Sequence, residues 1–274
     1  MKNTDYRLEY EIFEKPNKNK KDKITPQIWL AFHGIGQNIE AFKHFANQNN
    51  FKTYSFGLFY HEKNQDNLIN PRETNLHHWI ILIQQFLETE FENKEEFINI
   101  IGFSLGVRPA LQLISNFSKF NLKSILINKI ILIAPETLAV SKWYRFGTQT
   151  FLGKLLLKKV VSSIFFKDKI ILISSLLFSK NAQKLIRYQI YHGINSLASA
   201  WLAYSSFEIY GKDWKEISEN YEGKITIVVS QNDNFVKFKK IKCFIAKNSF
   251  DKGKSIKWII SKSAHARLLK EFKL

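Results

Sequence analysis

The segment that most constrains how this chain can fold is residues 97–113, which read Phe-Ile-Asn-Ile-Ile-Gly-Phe-Ser-Leu-Gly-Val-Arg-Pro-Ala-Leu-Gln-Leu. The apolar, β-branched run up to Phe103 predicts a buried strand, and from Leu105 onwards the apolar residues recur at helical spacing. Between the two lies a Gly-x-Ser-x-Gly turn centred on Ser104. The segment therefore predicts a strand that turns sharply into a helix, with a serine at the turn.

A turn of this kind favours a chemical role for its serine. It lifts the Ser104 hydroxyl above the sheet, and Gly102 and Gly106 leave room for the crowded backbone. Because the turn opens a helix, the Leu105 N–H has no partner within that helix, and the helix dipole favours negative charge beside it. These features suit a nucleophile whose substrate becomes an oxyanion. The strand–turn–helix context favours this interpretation over a chance pentapeptide in a loop.

Predicted strands and helices alternate outside residues 137–222. Residues 6–13 alternate apolar and charged side chains, which predicts an antiparallel edge strand. The alternation predicts an α/β fold with a doubly wound, mostly parallel sheet, whose site lies beyond the carboxyl ends of its strands. Apolar runs predict the other strands at 27–32, 51–59, 97–103, 129–134, 224–229 and 255–260, with an amphipathic helix at 76–91 and a short helix from Ala266.

Residues 137–222 are rich in Phe, Leu, Ile and Trp and do not alternate between strands and helices. We interpret this segment as a helical cap that lies over the site, so that residues 1–136 and 223–274 form the core domain. Its uninterrupted apolar pieces are far shorter than a membrane span. Most of its aromatic residues are expected to form the core of the cap, and Trp143 and Phe146 are expected to line an apolar substrate pocket.

An acidic residue and a histidine follow later predicted strands. Asp233 comes shortly after the strand at 224–229, and His265 follows the last strand. A serine, an acid and a histidine in this chain order, each after a separate strand, match one of the known arrangements of a catalytic triad. Glu136, which follows the strand at 129–134, is the alternative acid.

A second glycine-rich turn follows the strand at 27–32 and reads His33-Gly34-Ile35-Gly36-Gln37-Asn38. It supplies further backbone N–H groups before a helix, for which Asn38 is a predicted N-cap. A dinucleotide-binding loop would need a third glycine where Ile39 stands, so that interpretation is disfavoured. We interpret His33 as a structural imidazole that holds the loop by hydrogen bonds.

Taken together, these motifs make the chain resemble proteins of the α/β-hydrolase fold over residues 24–136 and 223–274. The resemblance implies a triad of Ser104, Asp233 and His265. It also implies an oxyanion hole formed by the backbone N–H groups of Ile35 and Leu105, with Gly34, Gly102 and Gly106 as the turn glycines. Three positions depart from the usual pattern: Ser230 and Ala264 stand where many relatives have glycine, and Pro109 removes a backbone donor from the helix after Ser104.

The resemblance implies a serine hydrolase of the carboxylesterase or thioesterase kind, which acts through an acyl-enzyme without a cofactor or metal. The apolar cap favours a small-molecule ester or thioester with an apolar acyl or alkyl part. Two alternatives stay open: another chemistry on the same residues, such as a C–C hydrolase or a lyase, and a non-catalytic protein that binds lipid or a partner.

Arg108 and Arg145 either bind an anionic group of the substrate or are solvated. The adjacent His77 and His78 lack the spacing of a metal site.

The net charge of +17 comes largely from lysines that are dispersed along the chain, so no basic segment predicts nucleic-acid binding. The charge leaves open a weak association with an anionic membrane surface. The single cysteine, Cys243, excludes an internal disulfide, and the N-terminal residues lack the apolar core of a signal peptide. A cytoplasmic location is therefore expected.

Overall fold

A computed structural model of the protein describes residues 8–15, 26–61, 74–91, 96–162, 199–248 and 256–274, except residues 121, 123, 141 and 222. The strands of the described part are β1 (Tyr10–Phe13), β2 (Ile28–Phe32), β3 (Lys52–Phe56), β4 (Glu96–Phe103), β5 (Ile125–Ile133), β6 (Lys224–Ser230) and β7 (Lys257–Ser261). They form one seven-stranded sheet in the order β1-β3-β2-β4-β5-β6-β7. Only β1 runs antiparallel to its neighbour, β3, and the other neighbouring strands are parallel. The predicted mostly parallel α/β sheet, with its antiparallel edge strand, is confirmed.

Helices connect these strands. They are α1 (Lys43–Asn49), α2 (Leu76–Glu90), α3 (Val107–Asn116), α4 (Lys142–Gln149), α5 (Phe151–Ser162), α6 (Gly211–Asn220), α7 (Phe238–Asn248) and α8 (Leu268–Glu271), and residues 199–204 are also helical. A 3₁₀ turn at Ile39–Phe42 leads into α1, and the side chain of Asn38 accepts a hydrogen bond from the Glu40 N–H at its start. The predicted N-cap at Asn38 is therefore confirmed.

The register of the sheet aligns the ends of its central strands. Phe32 pairs with Gly102, and Phe103 pairs with Ile133. Further along the sheet, Ser230 pairs with Ser261 at the ends of β6 and β7. Because the strands are parallel, the segments that follow β2, β4, β5, β6 and β7 all leave the sheet at one edge, which is where this class of fold places its sites.

Several element boundaries differ from the sequence prediction. β3 ends at Phe56 rather than Phe59, since the chain turns before Phe59 can pair, with a left-handed φ of 64° at Tyr60. The predicted helix from Ala266 begins as a 3₁₀ turn at His265–Arg267 before α8. Pro109 is the third residue of α3, in the first turn, where a missing N–H breaks no intrahelical hydrogen bond.

The segment predicted to be the cap, residues 137–222, is helical in its described parts, and residues 163–198 lie outside the described residues. α4 and α5 pack against each other, whereas α6 contacts α3 and α7. The division of the chain into a core and a cap stays a prediction. No helix in the described part of the chain is both long enough and apolar enough to span a membrane.

Candidate active site

The turn after β4 forces Ser104 into an uncommon backbone conformation. Ser104 has a left-handed φ of 52° and begins a 3₁₀ turn, Ser104–Gly106, that continues into α3. A Cβ atom at Gly106 would lie 2.1 Å from the Phe32 carbonyl oxygen, and one at Gly102 would lie 2.8 Å from the Gly106 carbonyl oxygen. Both positions therefore need glycine because backbone atoms approach too closely for any side chain.

The structure brings Ser104, His265 and Asp233 together at the carboxyl edge of the sheet. The Oγ atom of Ser104 lies 3.1 Å from Nε2 of His265. On the other side of the ring, Nδ1 of His265 lies 2.6 Å from Oδ2 of Asp233. Ser104 and Asp233 are buried, and the His265 side chain is 17% exposed. Both distances allow direct hydrogen bonds, and a partly open histidine leaves room for a reacting group.

The surroundings of Asp233 keep its carboxylate charged. Its Oδ1 accepts hydrogen bonds from the N–H groups of Phe235 and Val236, at 2.8 and 2.9 Å. Burial alone would raise the pKa of Asp233, but the hydrogen bond and charge of His265 and the two N–H groups lower it below its ordinary value. An ionised carboxylate only accepts hydrogen bonds, so Nδ1 of His265 carries the proton and Nε2 is left to accept one from Ser104.

Hydrogen bonds connect the loop after β6, which carries Asp233, to the loop after β7, which carries His265. The Ser230 hydroxyl donates to the Ser263 carbonyl at 2.5 Å and accepts from the Asn232 N–H at 3.0 Å. The Asn232 side chain donates to the Lys262 carbonyl at 2.8 Å. A glycine at position 230 could make neither side-chain bond. The departure at Ser230 thus links the loop that carries the acid to the loop that carries the histidine.

The glycine-rich turn after β2 lies directly beside Ser104. A Cβ atom at Gly34 would be 2.8 Å from the Phe103 ring and 3.2 Å from the Ser104 Cβ atom. The turn is closed by a hydrogen bond from the Gln37 N–H to the Gly34 carbonyl at 3.2 Å, and Gly36 adopts a φ of 72°. Ile35 directly follows the glycine that contacts the Ser104 Cβ atom. This placement keeps the backbone N–H groups of Ile35 and Leu105 as the predicted oxyanion hole.

His33 is fully buried behind this turn and uses both ring nitrogens. Its Nδ1 lies 2.9 Å from the Gly34 carbonyl, and its Nε2 accepts a hydrogen bond from the Leu58 N–H at 3.3 Å. Burial, together with the neighbouring His61, lowers the pKa of His33 to about 3 despite the bond to Gly34. The imidazole is therefore neutral and ties the turn to the chain after β3, in agreement with its interpretation as a structural residue.

This low pKa makes stability depend on pH. The unfolded chain binds a proton at His33 near pH 6.5, whereas the folded chain does so only near pH 3. The free energy of unfolding should therefore fall by about 1.4 kcal/mol per pH unit as the pH drops between these values. Urea unfolding should show that His33 accounts for about 2 kcal/mol of the stability lost between pH 7 and pH 5. A His33→Gln variant should lose about 2 kcal/mol less stability than the wild type between pH 7 and pH 5. His44→Gln, at an exposed position, should lose as much as the wild type. Equal pH slopes for the two variants would contradict the prediction.

Arg108 and Glu136 pair with each other rather than with a substrate or the histidine. The guanidinium donates from Nε to Oε1 of Glu136 at 2.5 Å and from Nη2 to Oε2 at 3.2 Å. Its Nη1 donates to the Tyr144 hydroxyl and to the Tyr204 carbonyl, at 3.1 and 2.6 Å. Burial alone would lower the pKa of Arg108, but Glu136 and Tyr144 raise it, so the side chain stays charged. Because Arg108 is fully buried and paired with Glu136, it is neither solvated nor a substrate ligand, and both predicted alternatives are wrong for it.

The remaining predicted substrate contacts lie on α4. Arg145 donates to the buried carboxylate of Glu208 at 2.6 Å. Phe146 is 40% exposed. Trp143 lies in the same helix, and its side chain is outside the described part of the structure. A pocket lined by Trp143 and Phe146 stays a prediction.

Sequence reasoning missed several residues that support the site. Gln37 accepts a hydrogen bond from the Gly34 N–H at 2.8 Å and so fixes the turn beside Ser104. The rings of Phe103 and Phe235 lie 5.2 and 5.5 Å from the His265 ring. Each of these residues lies within three positions of a predicted site residue, so their proximity along the chain was the available signal.

Comparison with known proteins identifies the fold. No protein-family profile and no curated protein matches the chain. Among solved structures, a hydrolase from Pseudomonas aeruginosa has a TM-score of 0.62 at 10% identity, covering 96% of this chain and 89% of its own. A thermophilic esterase from Thermogutta terrifontis has a TM-score of 0.61 at 13% identity, with 96% and 88% covered. MenH from S. aureus has a TM-score of 0.55 at 17% identity, with 96% and 92% covered. These likenesses extend over nearly the whole chain.

Proposed function

We propose that this chain, which has the α/β-hydrolase fold, is a serine hydrolase that cleaves a carboxylic ester or thioester with an apolar acyl or alkyl part. The observation that carries the proposal is that His265 is within hydrogen-bond distance of both Ser104 and Asp233. The Oγ–Nε2 distance is 3.1 Å and the Nδ1–Oδ2 distance is 2.6 Å. A nucleophile, a general base and an acid that orients the base form the catalytic triad of a serine hydrolase when they are arranged in this way.

In the proposed reaction, Oγ of Ser104 attacks the carbonyl carbon of the substrate while Nε2 of His265 takes the hydroxyl proton. Asp233 stabilises the imidazolium that forms and keeps the ring in the orientation that the attack needs. The tetrahedral intermediate collapses, and His265 passes its proton to the departing alcohol or thiol. Water, activated by the same histidine, then releases the acid from the acyl-enzyme.

The oxyanion of the intermediate is proposed to bind the backbone N–H groups of Ile35 and Leu105. The contact of the Gly34 turn with Ser104 supports this assignment, since Ile35 is the next residue in that turn and Leu105 is the next residue after the serine. Donors of this kind are fixed in place before the reaction, and each is typically worth about 3 kcal/mol of transition-state stabilisation.

An ester or thioester is favoured as the substrate because the surroundings of the histidine are apolar. Phe103 and Phe235 flank the His265 ring, and Phe235 is 50% exposed. Such walls suit an acyl or alkyl group better than a charged one. The presence of an esterase among the structural neighbours agrees with this choice. C–C bond cleavage or a lyase reaction on the same residues remains the alternative chemistry.

The proposal is tested with the purified wild-type protein on p-nitrophenyl esters from acetate to decanoate, with fluorophosphonate labelling in parallel. We expect turnover that rises with chain length before it falls, and a covalent adduct that mass spectrometry locates on the peptide containing Ser104. Labelling without ester turnover would indicate a different substrate or a lyase. Neither signal, in protein shown to be folded, would overturn the proposal in favour of a non-catalytic binding protein.

A further inference from the structure

The helix α5 presents large apolar side chains to solvent. Phe151, Leu152, Leu155 and Leu156 are 77%, 66%, 49% and 53% exposed. The opposite side of the helix faces the protein, because Gly153 is buried and a Cβ atom there would lie 1.8 Å from the Phe146 carbonyl oxygen in α4. A surface helix ordinarily turns its apolar side inward, so four neighbouring exposed apolar side chains favour an interaction site on this helix.

The charged side chains that the structure describes on α4 and α5 are all basic. Lys142 at the start of α4 and Lys154 on α5 itself are both exposed. No aspartate or glutamate occurs in the sequence between positions 137 and 167, which includes both helices. The carboxylate of Glu208, which does reach α4, is buried and paired with Arg145. An apolar face with a positive border complements a surface that is apolar inside and negative outside.

The face also lies at the reactive end of the molecule. α4 and α5 follow the short 3₁₀ turn Glu136–Ala139, which contacts the Ser104–Gly106 turn. Arg108, four residues after Ser104, donates to Tyr144 of α4. The segment that carries the apolar face is thus connected to the Ser104 turn through Glu136–Ala139 and α4.

From these observations we infer that Phe151, Leu152, Leu155 and Leu156 dock the protein on an anionic lipid bilayer. The four side chains enter the boundary between headgroups and acyl chains, while Lys142 and Lys154 contact anionic headgroups. A second copy of the chain fits this face less well, because a symmetric contact would bring the lysines of the two copies together, and the described residues of α4 and α5 include no acidic residue to pair with them. Docking does not require the proposed hydrolase activity, but it places Ser104 near apolar esters held in the bilayer.

The inference is tested by co-sedimentation with vesicles of phosphatidylcholine alone or of phosphatidylcholine mixed with phosphatidylglycerol. Wild-type protein should bind the mixed vesicles and leave the neutral ones unbound. Leu152→Ser/Leu156→Ser should lower the binding constant at least about tenfold, because two exposed leucines no longer enter the bilayer. The matched control is Leu126→Ser, which changes a leucine that is 56% exposed on β5 and should leave binding unchanged.

Three results would overturn this inference: no binding of the wild type to the mixed vesicles, equal binding of the double variant, or a wild-type dimer in solution that the double variant loses. Circular dichroism and turnover of p-nitrophenyl acetate, a soluble ester, verify that the variants are folded. If the wild type binds vesicles but hydrolyses no ester, the proposed function fails while the docking face stands.

Discussion

Replacing Ser104 with alanine should lower kcat on a p-nitrophenyl ester by a factor on the order of 10⁶. The change removes the oxygen that is proposed to form the covalent intermediate, and in that mechanism the remaining groups give only a small residual rate. Ser104 is already buried in a turn that alanine also fits, so the fold should be retained. Steady-state kinetics and fluorophosphonate labelling should both lose their signal in this variant.

Two further variants make this result specific. Ser118→Ala, at an exposed position beyond the end of α3, should have the kinetics of the wild type. Asp233→Asn should lower kcat by about 10⁴-fold, because the amide favours the wrong tautomer of His265. Ester turnover that survives in Ser104→Ala at more than a small fraction of the wild-type rate would show that another group is the nucleophile, and the proposed mechanism would then be wrong.

Replacing Arg108 with methionine should reduce the free energy of unfolding by about 3 kcal/mol or more. The Arg108 side chain is completely buried, and its loss leaves the Glu136 carboxylate without its two hydrogen bonds. The Tyr204 carbonyl, which lies 2.6 Å from Nη1 of Arg108, also loses that donor. Urea unfolding of the purified variants measures the change.

The double variant Arg108→Met/Glu136→Leu distinguishes an unpaired charge from general disruption of packing. With both charges removed, part of the lost stability should return, because no charge is then left unpaired, although the Tyr204 carbonyl still lacks the Arg108 donor. The matched surface pair is Lys52 and Glu90, which are 3.7 Å apart with both side chains partly exposed. Lys52→Met should cost no more than about 1 kcal/mol. A small effect of Arg108→Met, equal to that of Lys52→Met, would show that the pair of the buried Arg108 with Glu136 does not support the fold.

Local sequence patterns were sufficient to predict the sheet and the order of the site residues. A strand is recognisable from its own apolar residues, and Gly102 and Gly106 mark a turn whose close backbone contacts exclude side chains. Parallel pairing then brings the ends of the strands to one edge. Ser104, Asp233 and His265 could therefore be expected to lie together, although they are far apart in the sequence.

The partners of polar side chains could not be predicted in the same way. The sequence leaves Arg108 either as a substrate ligand or as a solvated residue, because it does not show that Glu136 and the Tyr204 carbonyl accept hydrogen bonds from it. Ser230 looked like a small replacement for glycine, but its hydroxyl bonds to the Ser263 carbonyl. Such pairings depend on atoms that are brought together only when separate elements pack.

The sequence by itself determined the strand that ends at Phe103, the turn at Ser104 and the chain order of the acid and the histidine, since each depends on neighbouring residues. Only the tertiary structure decided that Arg108 is neutralised by Glu136 and that Phe151 and Leu152 face solvent. The apolar spacing of a helix indicates that it has a hydrophobic side. Which side packs against the protein depends on the shape of the neighbouring helix, and here the close approach of Gly153 to α4 turns the larger side chains outward.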